Sequence, residues 1–97
     1  REFIFHERNR FIENLGNIKG VYPYISNSNY VLLKLEGVQE NIVFQSLLKK
    51  GILVRRCSNY RNLQGTHIRV AIKTSELNDR LVNSLKKIME EEDGIFL

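Results

Sequence analysis

The chain has no tryptophan, one proline, one methionine and one cysteine. Each scarcity excludes something. A single thiol, Cys57, rules out an internal disulfide framework and fits a reducing compartment such as the cytoplasm. His6 and His67 stand far apart, with no cysteine or histidine at ligand spacing, so no metal site is expected. No run approaches the roughly 20 apolar residues of a membrane span. The opening residues, Arg1 to Arg8, lack the unbroken apolar stretch of a signal peptide. There is no glycine-rich phosphate loop of Walker or Rossmann spacing and no serine in a nucleophile elbow. Repeats and low-complexity segments are also missing.

What remains is an ordinary globular composition, 42% hydrophobic and 27% charged, over 97 residues, enough for one domain with a modest core. The net charge of +4 comes from fifteen basic and eleven acidic residues. The cations are scattered, apart from the trio Arg55, Arg56 and Arg61, and the acids gather at Glu90-Glu91-Glu92-Asp93. A general nucleic-acid surface needs a contiguous basic patch, which this distribution does not supply. Four tyrosines, Tyr22, Tyr24, Tyr30 and Tyr60, could stack bases on a sheet or line a pocket, but no segment follows the RNP1 pattern. The chain begins at Arg1 and its one methionine is Met89, so it reads as a piece of a longer protein.

Periodicity gives the elements. Residues 2–15 carry Ile4 and Phe5, then Phe11 and Ile12, then Leu15, a helical spacing that stops at Gly16-Asn17 or Gly20. Val21 to Ser28 reads as a short extended piece followed by a turn. Tyr30 to Leu35 alternates as a strand, with Val31, Leu33 and Leu35 on one face. Val38 to Lys50 is expected to be helical, with Val38, Ile42, Phe44 or Gln45, Leu47 and Leu48 as its apolar stripe and Gly51 as a left-handed cap. Ile52 to Arg55 is expected to be a short buried strand, Cys57 to Thr66 a polar loop, and His67 to Lys73 the last strand. Thr74 or Ser75 can cap a final helix with the stripe Leu77, Leu81, Leu85 and Ile88 or Met89, ending at Asp93-Gly94. This succession predicts an α/β fold, a two-layer small domain with a short mixed or antiparallel sheet and helices packed on it.

The stretch Gly51 to Ile72 carries the chemistry. If its two apolar runs are strands, Ile68, Val70 and Ile72 share one face and Arg69 points to the other. Arg55, at the end of the neighbouring run, could join Arg69 in receiving a carboxylate or phosphate through paired hydrogen bonds. The alternative is two solvated surface arginines. Cys57 is expected to be a buried inert thiol, although Arg55 and Arg56 beside it could lower its pKa.

The ordered elements Val21-Tyr22-Pro23, Ser28-Asn29-Tyr30-Val31-Leu32, Leu48-Lys49-Lys50-Gly51-Ile52-Leu53-Val54-Arg55 and His67-Ile68-Arg69-Val70-Ala71-Ile72, followed by Glu76-Leu77-Asn78, resemble the C-terminal small domain of fold-type I pyridoxal-phosphate enzymes. The likeness to histidinol-phosphate aminotransferases covers nearly the whole chain. Within that group, Arg55-Arg56-Cys57-Ser58-Asn59-Tyr60 and Arg69-Val70-Ala71-Ile72-Lys73 resemble the threonine-phosphate decarboxylases of cobalamin biosynthesis. The aminotransferases more often carry Thr-hydrophobic-Gly where this chain has Ala71-Ile72-Lys73.

The resemblance implies that residues 1–20 are a helix leading in from a large domain and residues 21–97 the small domain. It implies that Arg69 binds the substrate carboxylate, that Arg55 joins it at the anionic groups, and that Tyr60 and Asn59 shape the pocket wall. It implies pyridoxal 5'-phosphate as cofactor, held by the large domain, and no catalytic, cofactor-binding or metal residue in this segment. The substrate would be a small phosphorylated amino acid and the full-length protein a cytoplasmic homodimer. The alternatives are a histidinol-phosphate-type aminotransferase, or a non-enzymatic basic module that binds a ligand or RNA.

Overall fold

In the computed structural model, described over residues 2–25, 28–58 and 63–94, the order is α1 (Glu2–Gly16), β1 (Val21–Pro23), β2 (Tyr30–Leu35), α2 (Glu40–Lys49), β3 (Arg55–Arg56), β4 (Thr66–Ala71) and α3 (Ser75–Gly94). The four strands form one antiparallel sheet in the order β1-β2-β4-β3. This is the expected two-layer α/β domain, with the antiparallel of the two sheet types considered.

Register follows from the alternation of side chains along each strand. Val31 lies opposite Val70 and Leu33 opposite Ile68, so the apolar residues of the two long strands meet on one face. That face is covered by the helices. Phe11 and Leu15 of α1, Val43 and Leu47 of α2, and Leu81 and Leu85 of α3 complete the core with Val21, Val31, Leu33, Ile68 and Val70. At about 25 cal/mol per Å² of apolar surface, each such large side chain contributes roughly 1.5–3 kcal/mol.

A polar network ties α1 to α3. The carboxylate of Glu7, only 4% exposed, accepts hydrogen bonds from Arg10 Nε (3.0 Å) and Nη2 (2.8 Å), Ser75 Oγ (2.9 Å) and Asn78 Nδ2 (2.7 Å). Asn78 also accepts from the Lys73 N–H and donates to the Lys73 carbonyl, fixing the chain as it enters α3. Thr74 Oγ1 accepts from the Leu77 N–H at 3.2 Å, the expected cap.

Several elements differ from the periodicity. Val21–Pro23 is a paired strand, held by β2. Helix α2 starts at Glu40 because Gln39 is still extended (φ −86°, ψ 145°). Its buried side chains are Val43 and Leu47, while Ile42 and Leu48 are 39% and 43% exposed. The stripe is rotated because this helix packs against α3 as well as against β3 and β4. The expected buried strand Ile52 to Arg55 is displaced: pairing occupies Arg55–Arg56, Leu53 is 70% exposed, and of Ile52 to Arg55 only Val54 is fully buried. Gly51 does take the left-handed cap conformation, at φ +78°. In α3, Leu81, Leu85, Ile88 and Met89 are buried but Leu77 is exposed. The tail 95–97 lies outside the described residues. No helix among the described residues is long and apolar enough to cross a membrane.

Candidate functional site

With the helices on one face, the residues of opposite parity define the other. β4 contributes His67, Arg69 and Ala71, and β2 contributes Tyr30, Leu32 and Lys34. Pairing sets Arg55 of β3 directly opposite Arg69 of β4, so the two guanidinium groups rise from neighbouring strands on the same face. Like charges placed opposite one another destabilise a strand pair by up to about 1 kcal/mol. An anion between them reverses that sign.

The surroundings suit an anion. The ring of Tyr30 lies under the guanidinium of Arg69, Cζ to ring centre 4.3 Å, which holds the head by a cation–π contact. A groove of about 610 Å³ runs past this pair and is lined by Asn29, Tyr30, Phe44, Leu53, Arg55, Arg56, Arg69 and Ala71 among others. Among the described residues its lining includes three arginines, no carboxylate and no lysine. Among the described residues, neither Arg55 nor Arg56 forms an ion pair with a carboxylate.

The strand alternation aims Arg56 backwards. It lies opposite Ile68 at the sheet edge, with its guanidinium over the ring of Phe44 (4.1 Å) and Nη2 donating to Asn41 Oδ1 (3.0 Å). Cys57 follows. Its thiol is buried, its N–H donates to Glu40 Oε2 (3.1 Å), and its Sγ lies 3.9 Å from the Arg55 carbonyl. Burial pushes the Cys57 pKa up, Arg69 nearby pulls it down, and Glu40 adds to the rise. The fold buries this thiol, as expected.

His67 is buried beside Tyr24, whose hydroxyl lies 3.3 Å from Nε2, and Nδ1 faces the Gly65 carbonyl at 3.3 Å. It is a strand-face residue satisfied by neighbours. Among the described residues no cluster of histidine, cysteine or carboxylate side chains could hold a metal. Tyr60 and Asn59 lie outside the described residues, as does Arg61.

Sequence reasoning brought Arg55 and Arg69 together, and the sheet places them opposite each other. It left Asn29, Phe44 and Arg56 unassigned to this groove. Tyr30 could have been found, since it shares parity with Arg69 once β2 and β4 are known to pair. The contact between Arg56 and Phe44 depends on where α2 crosses, which no local pattern reports.

No family model matches the chain. Individual proteins do. The histidinol-phosphate aminotransferase of Caldanaerobacter subterraneus subsp. tengcongensis is 39% identical over 87 residues, covering 90% of this chain and 24% of the relative. A protein of the same organism with the provisional name threonine-phosphate decarboxylase is 36% identical over 91 residues, covering 94% of this chain and 25% of its own length. This chain is similar to one segment of the histidinol-phosphate aminotransferases and a decarboxylase relative. The crystal structure of the histidinol-phosphate aminotransferase from Clostridium acetobutylicum superposes with a TM-score of 0.86 at 34% identity, covering 93% of this chain and 27% of that one. The resemblance read from the residues is borne out in both sequence and fold. The chain spans about a quarter of the length of the relatives it matches.

A pyridoxal cofactor needs a lysine to carry it and a carboxylate beside the ring nitrogen. Among the described residues, neither residue type lines the arginine groove. The described lining thus does not fit a pyridoxal group, and what it presents is cationic, from three arginines.

Proposed function

We propose that this chain is the substrate-anion-binding small domain of a pyridoxal-phosphate enzyme, most closely a decarboxylase of L-threonine O-3-phosphate in cobalamin biosynthesis. In this reading residues 1–20 lead in from a large domain that holds the cofactor, and residues 21–97 form the small domain. The full-length protein is a cytoplasmic homodimer. The observation that carries the reading is the directly opposed pair Arg55 and Arg69 on the face of the sheet away from the helices, in a groove whose described lining holds no carboxylate.

Arg69 binds the substrate carboxylate and Arg55 joins it at the anionic groups. Their work is orientation. Two planar donors hold a carboxylate in one plane, and that fixes the direction of the bonds at the adjacent carbon. A hydrogen bond to a charged group contributes roughly 1.5–3 kcal/mol. Lysine supplies charge without the paired geometry. Arg69→Lys in the full-length enzyme is expected to lower kcat/KM at least about tenfold, equivalent to ~1.4 kcal/mol. Near-normal kinetics refute Arg69 as the carboxylate ligand.

The second reading is amino transfer with histidinol phosphate, which the 39% identical relative favours. The test is CO2 release from L-threonine O-3-phosphate by the full-length protein loaded with pyridoxal phosphate. Release at catalytic rates supports decarboxylation. Cofactor binding without release, together with turnover of histidinol phosphate, moves the assignment to the aminotransferase.

A further inference from the structure

β3 has only two residues and lies at the sheet edge, paired to β4 at Arg55 and Arg56, whereas β2 and β4 pair over six. So short an edge strand frays easily unless something else holds it. Both arginines line the groove, and the direction of the strand decides which of them stands opposite Arg69, because rotating it by one position exchanges Arg55 and Arg56.

Helix α2 supplies the hold. Phe44 lies three residues after Asn41 and four after Glu40 on the first turns of the helix, so its ring adjoins both on the helix surface. Phe44 supports the Arg56 guanidinium, Asn41 accepts its hydrogen bond, and Glu40 accepts the next backbone N–H, that of Cys57. The buried Cys57 thiol backs onto the Arg55 carbonyl. An arginine serves at position 56 because one planar head can stack on a ring and donate at its edge together.

We propose that Arg56, Phe44 and Asn41 are positioning residues, forming a rear clamp on β3 that directs Arg55 towards its anion. The proposal rests on reading Arg55 and Arg69 as anion ligands. It says that the back of the strand sets the affinity at the front.

The test uses the 97-residue chain with inorganic phosphate as probe, followed through the backbone amide signals of Arg55 and Arg69. Phe44→Leu and Asn41→Ala leave the net charge unchanged and are the deciding variants. Each is expected to raise the phosphate Kd about threefold, with Arg56→Met at least as weak. Arg56→Lys keeps the charge but loses the fork, and is expected to restore only part of the affinity. The double variant Phe44→Leu/Arg56→Met should bind no more weakly than the worse single, since both break one contact. Denaturation midpoints identify an effect that only follows global stability, and such an effect overturns the proposal. So does a loss confined to Arg56→Met, which makes Arg56, itself in the groove lining, a ligand or a charge and not a positioning residue. If the unsubstituted chain binds no phosphate, the anion-site reading fails, and the clamp is then judged by exchange of the Cys57 N–H. Faster exchange in Phe44→Leu and Asn41→Ala retains the clamp, and unchanged exchange rejects it.

Discussion

Replacing Glu7 by glutamine is expected to loosen the joint between α1 and α3. The wild-type carboxylate accepts four hydrogen bonds, two from Arg10 and one each from Ser75 and Asn78. The Arg10 hydrogen bonds, opposed by burial and helped by those from Asn78 and Ser75, hold its pKa at about 2, against an ordinary 4.5. A shift of that size corresponds to at most about 3 kcal/mol of stability at neutral pH. Arg10 is 40% exposed, so solvent screens part of its attraction. We therefore expect Glu7→Gln to cost about 2 kcal/mol at pH 7, where an amide presents two donors to a ring of donors. A depressed carboxylate pKa contributes stability that is complete above the unfolded value and is lost as pH falls through the folded one. The gap between wild type and Glu7→Gln should thus be full at pH 7, begin to close near pH 4.5, and shrink by about half or more by pH 3. Urea denaturation of both chains across that range measures it. A gap below about 0.5 kcal/mol at pH 7, or one that stays constant down to pH 3, refutes the reasoning.

Gly20 and Gly37 both take positive φ, +86° and +80°, but only at Gly20 does an added Cβ meet neighbours, Met89 Cε at 2.9 Å and the Glu36 carbonyl at 3.2 Å. Gly37→Ala should cost about 1 kcal/mol for its backbone conformation, and Gly20→Ala distinctly more, read as the difference in thermal midpoints. Leu33→Ala, at the centre of the sheet and fully buried, should cost about 2–5 kcal/mol in the same assay. Cys57 should resist a thiol reagent such as DTNB in the native state at pH 8 and react at once in denaturant, because burial both shields it and raises its pKa. Rapid reaction in native buffer contradicts the buried placement.

The sequence by itself determined the long elements. The alternation of Tyr30 to Leu35 set Val31, Leu33 and Leu35 inward, and the same parity in His67 to Ile72 turned Arg69 away from the core. The spacing of Leu81, Leu85 and Ile88 defined the buried stripe of α3. These patterns are legible because a period of two or 3.6 is a local property and burial acts on it directly. Arg55 and Arg69 were legible as residue types suited to an anion, and the resemblance gave them a shared role.

Tertiary structure decided the rest. Whether Arg55 faces Arg69 depends on the register between β3 and β4, and a slip of one residue would have brought Arg56 to the front. Leu53 looked like a core residue from its apolar neighbours, yet the sheet ends before it and leaves it in solvent. Ile42 and Leu48 were exposed by the crossing of α2, a matter of how two surfaces meet. Glu7 read as one more charge on a polar helix face. It is buried because Asn78 and Ser75, about seventy residues away, supply donors that only packing brings within 3 Å. Local sequence fixes which way a side chain can point along its own element. Only the assembled layers fix what it points at, since that partner's energy is set by distances between residues remote along the chain.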